Sequence, residues 1–223
     1  MFTKDSFGFL AKLTKNNNKD WFEENRSDYE KNVLLPCKDL VKQLSLFILT
    51  IDENLETNPV INKSLTTIHR DLRFSKTKLP FKNRFGINFK KKTREWKKYP
   101  TFFFRIDPQG YHFGLTVMKN DPNKFDILRR EIDENPQEFK KVLKQIKADS
   151  ELDLWGQEYK KYSYAGKDRD LRAFYNKKNL YISCFREASY FKSDEALILE
   201  IQKVFGELSG VYAFLNRIFL KQG

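Results

Sequence analysis

Apolar side chains recur at helical spacing through the first part of the chain. The pattern predicts one helix from Thr3 to Thr14, a second from Lys19 to about Leu34, and a third that ends near Ile51. Asparagines at 16–18 separate the first two helices, because asparagine accepts left-handed backbone and caps helix ends. Pro36 marks either a kink in the helical run or the first turn of the third helix.

The middle of the chain alternates apolar and polar positions, which is typical of β-strands. Strands are predicted over Leu65–Phe74, Phe85–Phe89 and Phe102–Ile106, and from Tyr111 to Met118. The Asp-Pro-Gln-Gly stretch at 107–110 has the composition of a type I turn, with proline second and glycine fourth. It therefore predicts a hairpin between the last two strands.

Helical spacing returns after this hairpin. Helices are predicted to begin at Asp121 and at Asn135, the second one continuing to about Lys147. The stretch from Glu151 to Lys178 is irregular. It is followed by a predicted strand and two predicted helices, over Leu180–Arg186, Ser193–Gly206 and Ser209–Leu220.

This order of elements predicts an α+β fold in a single domain. We expect a mostly antiparallel sheet with helices packed on one face. The domain would be helical over residues 1–60, strand-rich over 65–118, helical over 121–148, and a strand plus helices over 180–220. No stretch has the composition of a linker.

The composition agrees with a folded domain that needs no cross-links. The chain has 223 residues, of which 40% are hydrophobic, enough to bury a core. Cys37 and Cys184 stand outside any metal-binding spacing, so we predict buried thiols, no metal and no cofactor. Apolar runs are too short to span a membrane, and the N-terminus lacks a signal-peptide run. We therefore expect a soluble, cytoplasmic protein without a membrane partner, whose oligomeric state the sequence leaves open.

The positive charge is concentrated in one segment, Arg70–Lys98. This segment carries +10 of the chain's formal net charge of +12, because Asp71 and Glu95 are its only acidic residues. A local excess of this size attracts anions. The alternative is a solvated loop with ordinary surface charges.

The first part of this segment, Arg70–Lys82, predicts a specific anion site. Arginine binds phosphate or carboxylate through two parallel hydrogen bonds, and Asp71 is placed to orient one of the arginines. The predicted ligand-binding residues are Arg70, Asp71, Arg73, Lys76, Lys78 and Lys82. The competing interpretation is structural, with the arginines tying the loop to helix ends and carboxylates. No residue is predicted to be catalytic, and whether the protein is an enzyme stays open.

Two stretches of the chain are similar to motifs of a known protein family. Residues 17–22 read Asn-Asn-Lys-Asp-Trp-Phe, and residues 70–82 read Arg-Asp-Leu-Arg-Phe-Ser-Lys-Thr-Lys-Leu-Pro-Phe-Lys. Both resemble motifs of a family of conserved hypothetical proteins, a domain of unknown function found in bacteria and fungi. The resemblance covers most of the chain and implies no activity, but it adds Asn18 and Trp21 to the predicted binding site. One departure is the stretch Met-Lys-Asn-Asp-Pro before Asn123, where the family has a glycine-rich stretch.

Two classes of function agree with these features. The favoured one is a cytosolic anion-binding protein that uses Arg70–Lys98 for nucleic acid or another polyanion, since aromatic residues among cations can stack on bases. The alternative is an enzyme or sensor for a small phosphorylated or carboxylated molecule held by Arg70 and Arg73. A structural or adaptor role is the third possibility. An open basic face would favour the first class, and a closed pocket the second.

Overall fold

The fold is α+β, as the sequence predicts. The computed structural model describes residues 2–73, 77–118, 122–146, 151–161 and 166–220. It contains a five-stranded antiparallel sheet and several helices. The helices are α1 Lys4–Lys15, α2 Lys19–Glu24, α3 Arg26–Tyr29, α4 Leu35–Ile51, α5 Pro122–Glu134, α6 Pro136–Leu143, α7 Arg172–Tyr175 and α8 Asp194–Leu220. Within the described ranges, none of the helices is both long enough and apolar enough to cross a bilayer.

The strands are arranged in the order β1-β2-β3-β5-β4. They are β1 Phe85–Phe89, β2 Thr101–Ile106, β3 Gly110–Val117, β4 Asp153–Trp155 and β5 Leu180–Glu187. The predicted β2–β3 hairpin is confirmed. Its turn is closed by the Asp107 N–H, which donates to the Gly110 carbonyl at 3.0 Å, and by Asp107 Oδ1, which accepts from the Gln109 N–H at 2.8 Å. The short edge strand β4 lies in the stretch that the sequence predicts to be irregular.

The chain divides into two compact units. The first comprises Met1–Phe89, Phe103–Phe113 and Phe185–Gln202, and the second comprises Lys90–Phe102, Gly114–Cys184 and Lys203–Gly223. Aromatic rings fill the core of each unit. In the first, the Tyr111 ring on β3 lies 6.2 Å from Phe104 and 6.5 Å from Phe7. In the second, the Phe102 ring packs 4.8 Å from Phe205 on α8.

The strand predicted over Leu65–Phe74 is wrong for the residues that the structure describes. Leu65 and His69 form only isolated bridges, Leu72 is exposed, and Phe74 lies outside the described residues. The physical reason is the composition of residues 70–79. They are mostly charged and polar, so this stretch offers no continuous apolar face that a strand could bury.

The second predicted helix, Lys19–Leu34, is interrupted. Helix α2 ends at Glu24, and the next residue, Asn25, has a φ of −109° and a ψ of 18°, which are not helical. After α3, a wide π-helical turn over Glu30–Leu34 leads into α4, and Pro36 lies in the first turn of α4. A proline ring inside a regular helix clashes with the carbonyl four residues earlier, and a wider turn directly before the proline moves that carbonyl away.

The last two predicted helices are one helix, α8. A stripe of buried apolar side chains continues across the predicted break at Gly206, through Phe205, Leu208 and Val211. A helical glycine costs about 1 kcal/mol relative to alanine, whereas burying one large apolar side chain stabilises by about 1.5–3 kcal/mol. The stabilisation from the buried stripe therefore exceeds the cost of the glycine in the helix. Gly210 also has a packing reason, because a Cβ there would lie 1.9 Å from the side-chain oxygen of Gln145.

Candidate functional site

The loop from Arg70 to Lys82 begins and ends on one short ladder. The Arg70 N–H donates to the Pro80 carbonyl and the Lys82 N–H donates to the Ile68 carbonyl, both at 2.8 Å. Between these bonds, His69 and Phe81 form an antiparallel bridge. These contacts hold the two ends of the loop together, and we call this paired stretch the neck of the loop. Arg70 and Lys82, at the two ends, therefore lie on hydrogen-bonded backbone.

Asn17 fixes this neck to the junction between α1 and α2. Its side-chain amide donates to the Phe81 carbonyl, and its side-chain oxygen accepts from the Phe81 N–H, each at 3.0 Å. The buried rings of Phe81 and Phe22 stack with centroids 4.1 Å apart and planes at 19°. Sequence reasoning selected the neighbours of Asn17 and missed Asn17 itself, although it lies in the quoted motif. The signal for it is an amide that can satisfy both backbone groups of one residue.

Asn18 and Trp21, the two residues added to the predicted site by resemblance, have structural roles here. The Asn18 side chain caps α2 by accepting from the Trp21 N–H at 2.9 Å. The Trp21 ring packs 5.7 Å from Phe9. These contacts account for the start of α2 and for its packing on α1. Ligand binding by the pair stays a prediction.

Asp71 and Arg73 form a forked ion pair on the loop. The Arg73 guanidinium donates through Nε and Nη2 to the two carboxylate oxygens at 3.0 and 2.8 Å. The side-chain hydrogen bonds from Arg73 lower the pKa of Asp71. A hydrogen bond from the backbone N–H of Arg73 lowers it further. Both side chains are exposed, 50% for Asp71 and 80% for Arg73. Asp71 therefore orients Arg73, but Arg70 is not part of this pair.

Arg70 faces the neck of the loop. Its Nη2 donates to the Phe81 carbonyl at 3.2 Å. Its Nε is buried and has no hydrogen-bond partner among the described residues. A buried, unpaired donor on a charged group is costly, and an anion beside Arg70 would satisfy it.

The charges of three arginines act on Lys82, and we call these four cations the Lys82 cluster: Arg70, Lys82, Arg84 and Arg105. Lys82 Nζ donates to the Thr67 carbonyl at 2.8 Å. Partial burial lowers the pKa of Lys82, and the charges of Arg84, Arg70 and Arg105 lower it further. Arg70, Lys82 and Arg105 are partly buried and Arg84 is exposed. The cluster is thus a local concentration of positive charge, the arrangement that attracts an anion.

Two members of this cluster were not among the predicted site residues. Arg84 belongs to the basic segment but lies beyond its motif, and Arg105 belongs to β2. The signal for Arg105 is visible in the sequence, as a single charge inside the strand Thr-Phe-Phe-Phe-Arg-Ile. Of the other predicted residues, Lys78 is exposed and Lys76 lies outside the described residues.

A cleft of about 510 Å³ lies beside Arg84. Three segments form it: the last turns of α1, the residues between the loop and β1, and the β2–β3 turn. Its lining residues are Ala11, Thr14, Lys15, Asn83, Arg84, Asp107, Pro108 and Gln109. Arg84 belongs to both the cleft and the Lys82 cluster.

The remaining part of the basic segment, Lys90–Lys98, belongs to the second unit. Lys90 Nζ lies 4.4 Å from the centre of the Trp96 ring, a cation–π contact. Lys98 forms an ion pair with Glu95, three residues earlier. Arg94, Lys97 and Lys98 are exposed. In the described part of the chain, no group of three or more histidine, cysteine, aspartate or glutamate side chains could hold a metal ion.

Comparison with protein families identifies a relationship for this chain. A family model described as "Conserved hypothetical protein (DUF2461)" matches residues 5–214. The match includes the loop and the whole Lys82 cluster. It also includes the pair of hydrogen bonds between Asn17 and the Phe81 backbone, which we call the Asn17 clamp. A search of curated proteins found no match.

The Asn17 clamp generates a stability prediction. Asn17→Ala leaves the part-buried N–H of Phe81 without its side-chain partner and leaves the Phe81 carbonyl with Arg70 Nη2 as its side-chain donor, so unfolding should require about 1–3 kcal/mol less free energy. Urea unfolding measures this difference. Asn16→Ala is the matched control, since the Asn16 side-chain amide donates to an exposed carbonyl at the end of its own helix, that of Lys12. Equal losses in the two variants would show that the clamp does not hold the loop.

Proposed function

The chain belongs to the family of conserved hypothetical proteins described as DUF2461, and from the geometry of its site we propose that it binds phosphate-bearing anions at the Lys82 cluster. The observation that carries the proposal is the environment of Lys82. Three arginines act on a half-buried ammonium group, and one of them, Arg70, has a buried donor without a partner in the described chain. Phosphate offers several acceptor oxygens and up to two negative charges, which match this set.

The backbone supports the proposal by holding two of the cations in place without neutralising them. Lys82 Nζ and Arg70 Nη2 both donate to main-chain carbonyls. A carbonyl orients a cation but leaves its charge available, unlike the carboxylate that pairs with Arg73. An anion that enters the cluster therefore meets oriented donors, and this reduces the entropy lost on binding.

Isothermal titration with inorganic phosphate tests this function. Arg84→Gln and Arg105→Gln should each weaken binding about tenfold or more, because a hydrogen bond to a charged group contributes about 1.5–3 kcal/mol. The control is Arg94→Gln, which removes the same charge from an exposed site in the second unit. It should change the affinity by less than about twofold, since Arg94 is not among the charges that act on Lys82.

Two results would contradict the proposal. Absence of phosphate binding at low ionic strength would show that the protein has no phosphate site. Equal losses in all three variants would mean that net charge alone attracts phosphate and that the cluster is not a binding site.

A second candidate function is binding of nucleic acid or another polyanion through Lys90–Lys98. The observation in its favour is the series of exposed cations around Trp96, because cations next to an aromatic ring are typical of single-strand binding surfaces. Lys90 already covers part of the Trp96 ring, so we place this function second. It concerns the second unit and is tested separately.

The second candidate predicts a salt-dependent interaction with single-stranded RNA. Each phosphate contact on a single strand contributes about −0.7 to the slope of log affinity against log salt concentration. Replacing Lys92 and Lys97 together by glutamine should reduce the steepness by up to about 1.4, measured by fluorescence anisotropy of a labelled oligonucleotide. Lys144→Gln, an exposed lysine elsewhere in the same unit, should leave the slope unchanged. Absence of binding at about 50 mM salt, where such contacts are strongest, would exclude this function.

A further inference from the structure

The cleft beside Arg84 has the size of a small-molecule site. Its volume is about 510 Å³, and pockets for small ligands typically measure about 300–1,000 Å³. All of its lining residues belong to the first unit, as does the Lys82 cluster. Because Arg84 is common to both, a molecule bound in the cleft would have one end next to the cluster.

The walls of the cleft are suited to hydroxyl groups. Asn83 and Gln109 each carry an amide that both donates and accepts hydrogen bonds, and Thr14 adds a hydroxyl group. Only Ala11 and Pro108 are apolar. None of the described residues that line the cleft is aromatic, so it lacks the stacking surface that usually holds a nucleobase. A polar, non-aromatic body fits these walls best.

Asp107 determines which end of the cleft is suited to the anionic group of a ligand. Its Oδ1 accepts from the backbone N–H of Gln109 at 2.8 Å, and its Oδ2 lies 3.4 Å from His112 Nε2. Burial alone would raise the pKa of Asp107, but the hydrogen bonds from His112 and from the turn outweigh it and lower the pKa. The carboxylate is therefore ionised near neutral pH. It accepts hydroxyl groups and repels a second anion, so the anionic end of a ligand belongs at Lys15 and Arg84.

We propose that the cleft binds the body of a small phosphorylated sugar, whose phosphate is held by Arg84 and the Lys82 cluster. This inference rests on the proposed function and names its ligand class. The sugar hydroxyl groups bond to Asn83, Gln109 and Asp107. Arg84 connects the two parts of the site.

Isothermal titration of inorganic phosphate, ribose 5-phosphate and adenosine 5′-monophosphate into the whole chain tests the inference. Ribose 5-phosphate should bind at least about tenfold more tightly than phosphate, as three added hydrogen bonds of about 0.5–1.5 kcal/mol each would give. Gln109→Ala should remove about a third of that gain on a logarithmic scale and leave the affinity for phosphate unchanged. The control is Gln43→Ala, a glutamine that lines a different cleft, and it should leave all three affinities unchanged.

The possible failures are distinguishable. Equal affinity for phosphate and ribose 5-phosphate would overturn the sugar site and leave phosphate binding at the cluster intact. A gain that appears only with adenosine 5′-monophosphate would overturn the assignment to a sugar, because it would require the base. Absence of binding by all three ligands would overturn the proposed function and this inference together.

Discussion

The reciprocal pair of hydrogen bonds between Asn17 and the backbone of Phe81 is the contact on which the site depends. It fixes Phe81, the residue of the loop that directly precedes Lys82. Stacking of Phe81 on Phe22 adds buried apolar area to the same point. Two motifs that lie far apart in the sequence therefore meet in one place. The N-terminal motif supplies the amide and the ring, and the central motif supplies the backbone that they hold.

The cations around this contact differ in how their charge is used. Arg73 donates to Asp71, so its charge is largely neutralised on an exposed surface. Arg70 and Lys82 donate to main-chain carbonyls, which orient them and leave their charge in place. The charge of Arg70 contributes to lowering the pKa of Lys82, and a bound anion would act in the opposite direction. For this reason we propose the Lys82 cluster as the anion site, and not Arg73, the more exposed arginine of the motif.

Hydrophobic periodicity was sufficient to predict the fold class and most of its elements. The β2–β3 hairpin followed from its turn residues, and α1, β1 and β5 followed from their regular spacing. Errors arose where long-range packing overrides local signals. Gly206 resembles a helix end, but the buried stripe of α8 continues past it. The β4 strand has only three residues, and it is defined by its pairing with β5, including Trp155 opposite Tyr181.

The candidate site was predictable only in part, for a related reason. Composition located the positive charge, and the motif located the loop, because both are properties of consecutive residues. Arg105 comes from a neighbouring strand, and Asn17 comes from a turn more than sixty residues away. Their proximity to the loop is a product of the fold, and no local pattern encodes it. The cleft is formed by three separate segments and has no sequence signal of its own.

The most direct measurement of the central claim is the pKa of Lys82. Nuclear magnetic resonance of selectively labelled lysine side chains gives this value with and without inorganic phosphate. Burial and the three arginines should hold the pKa of Lys82 below that of an ordinary lysine in the free protein, and saturating phosphate should raise it, because a bound anion favours the charged form. An ordinary pKa that phosphate leaves unchanged would contradict the account.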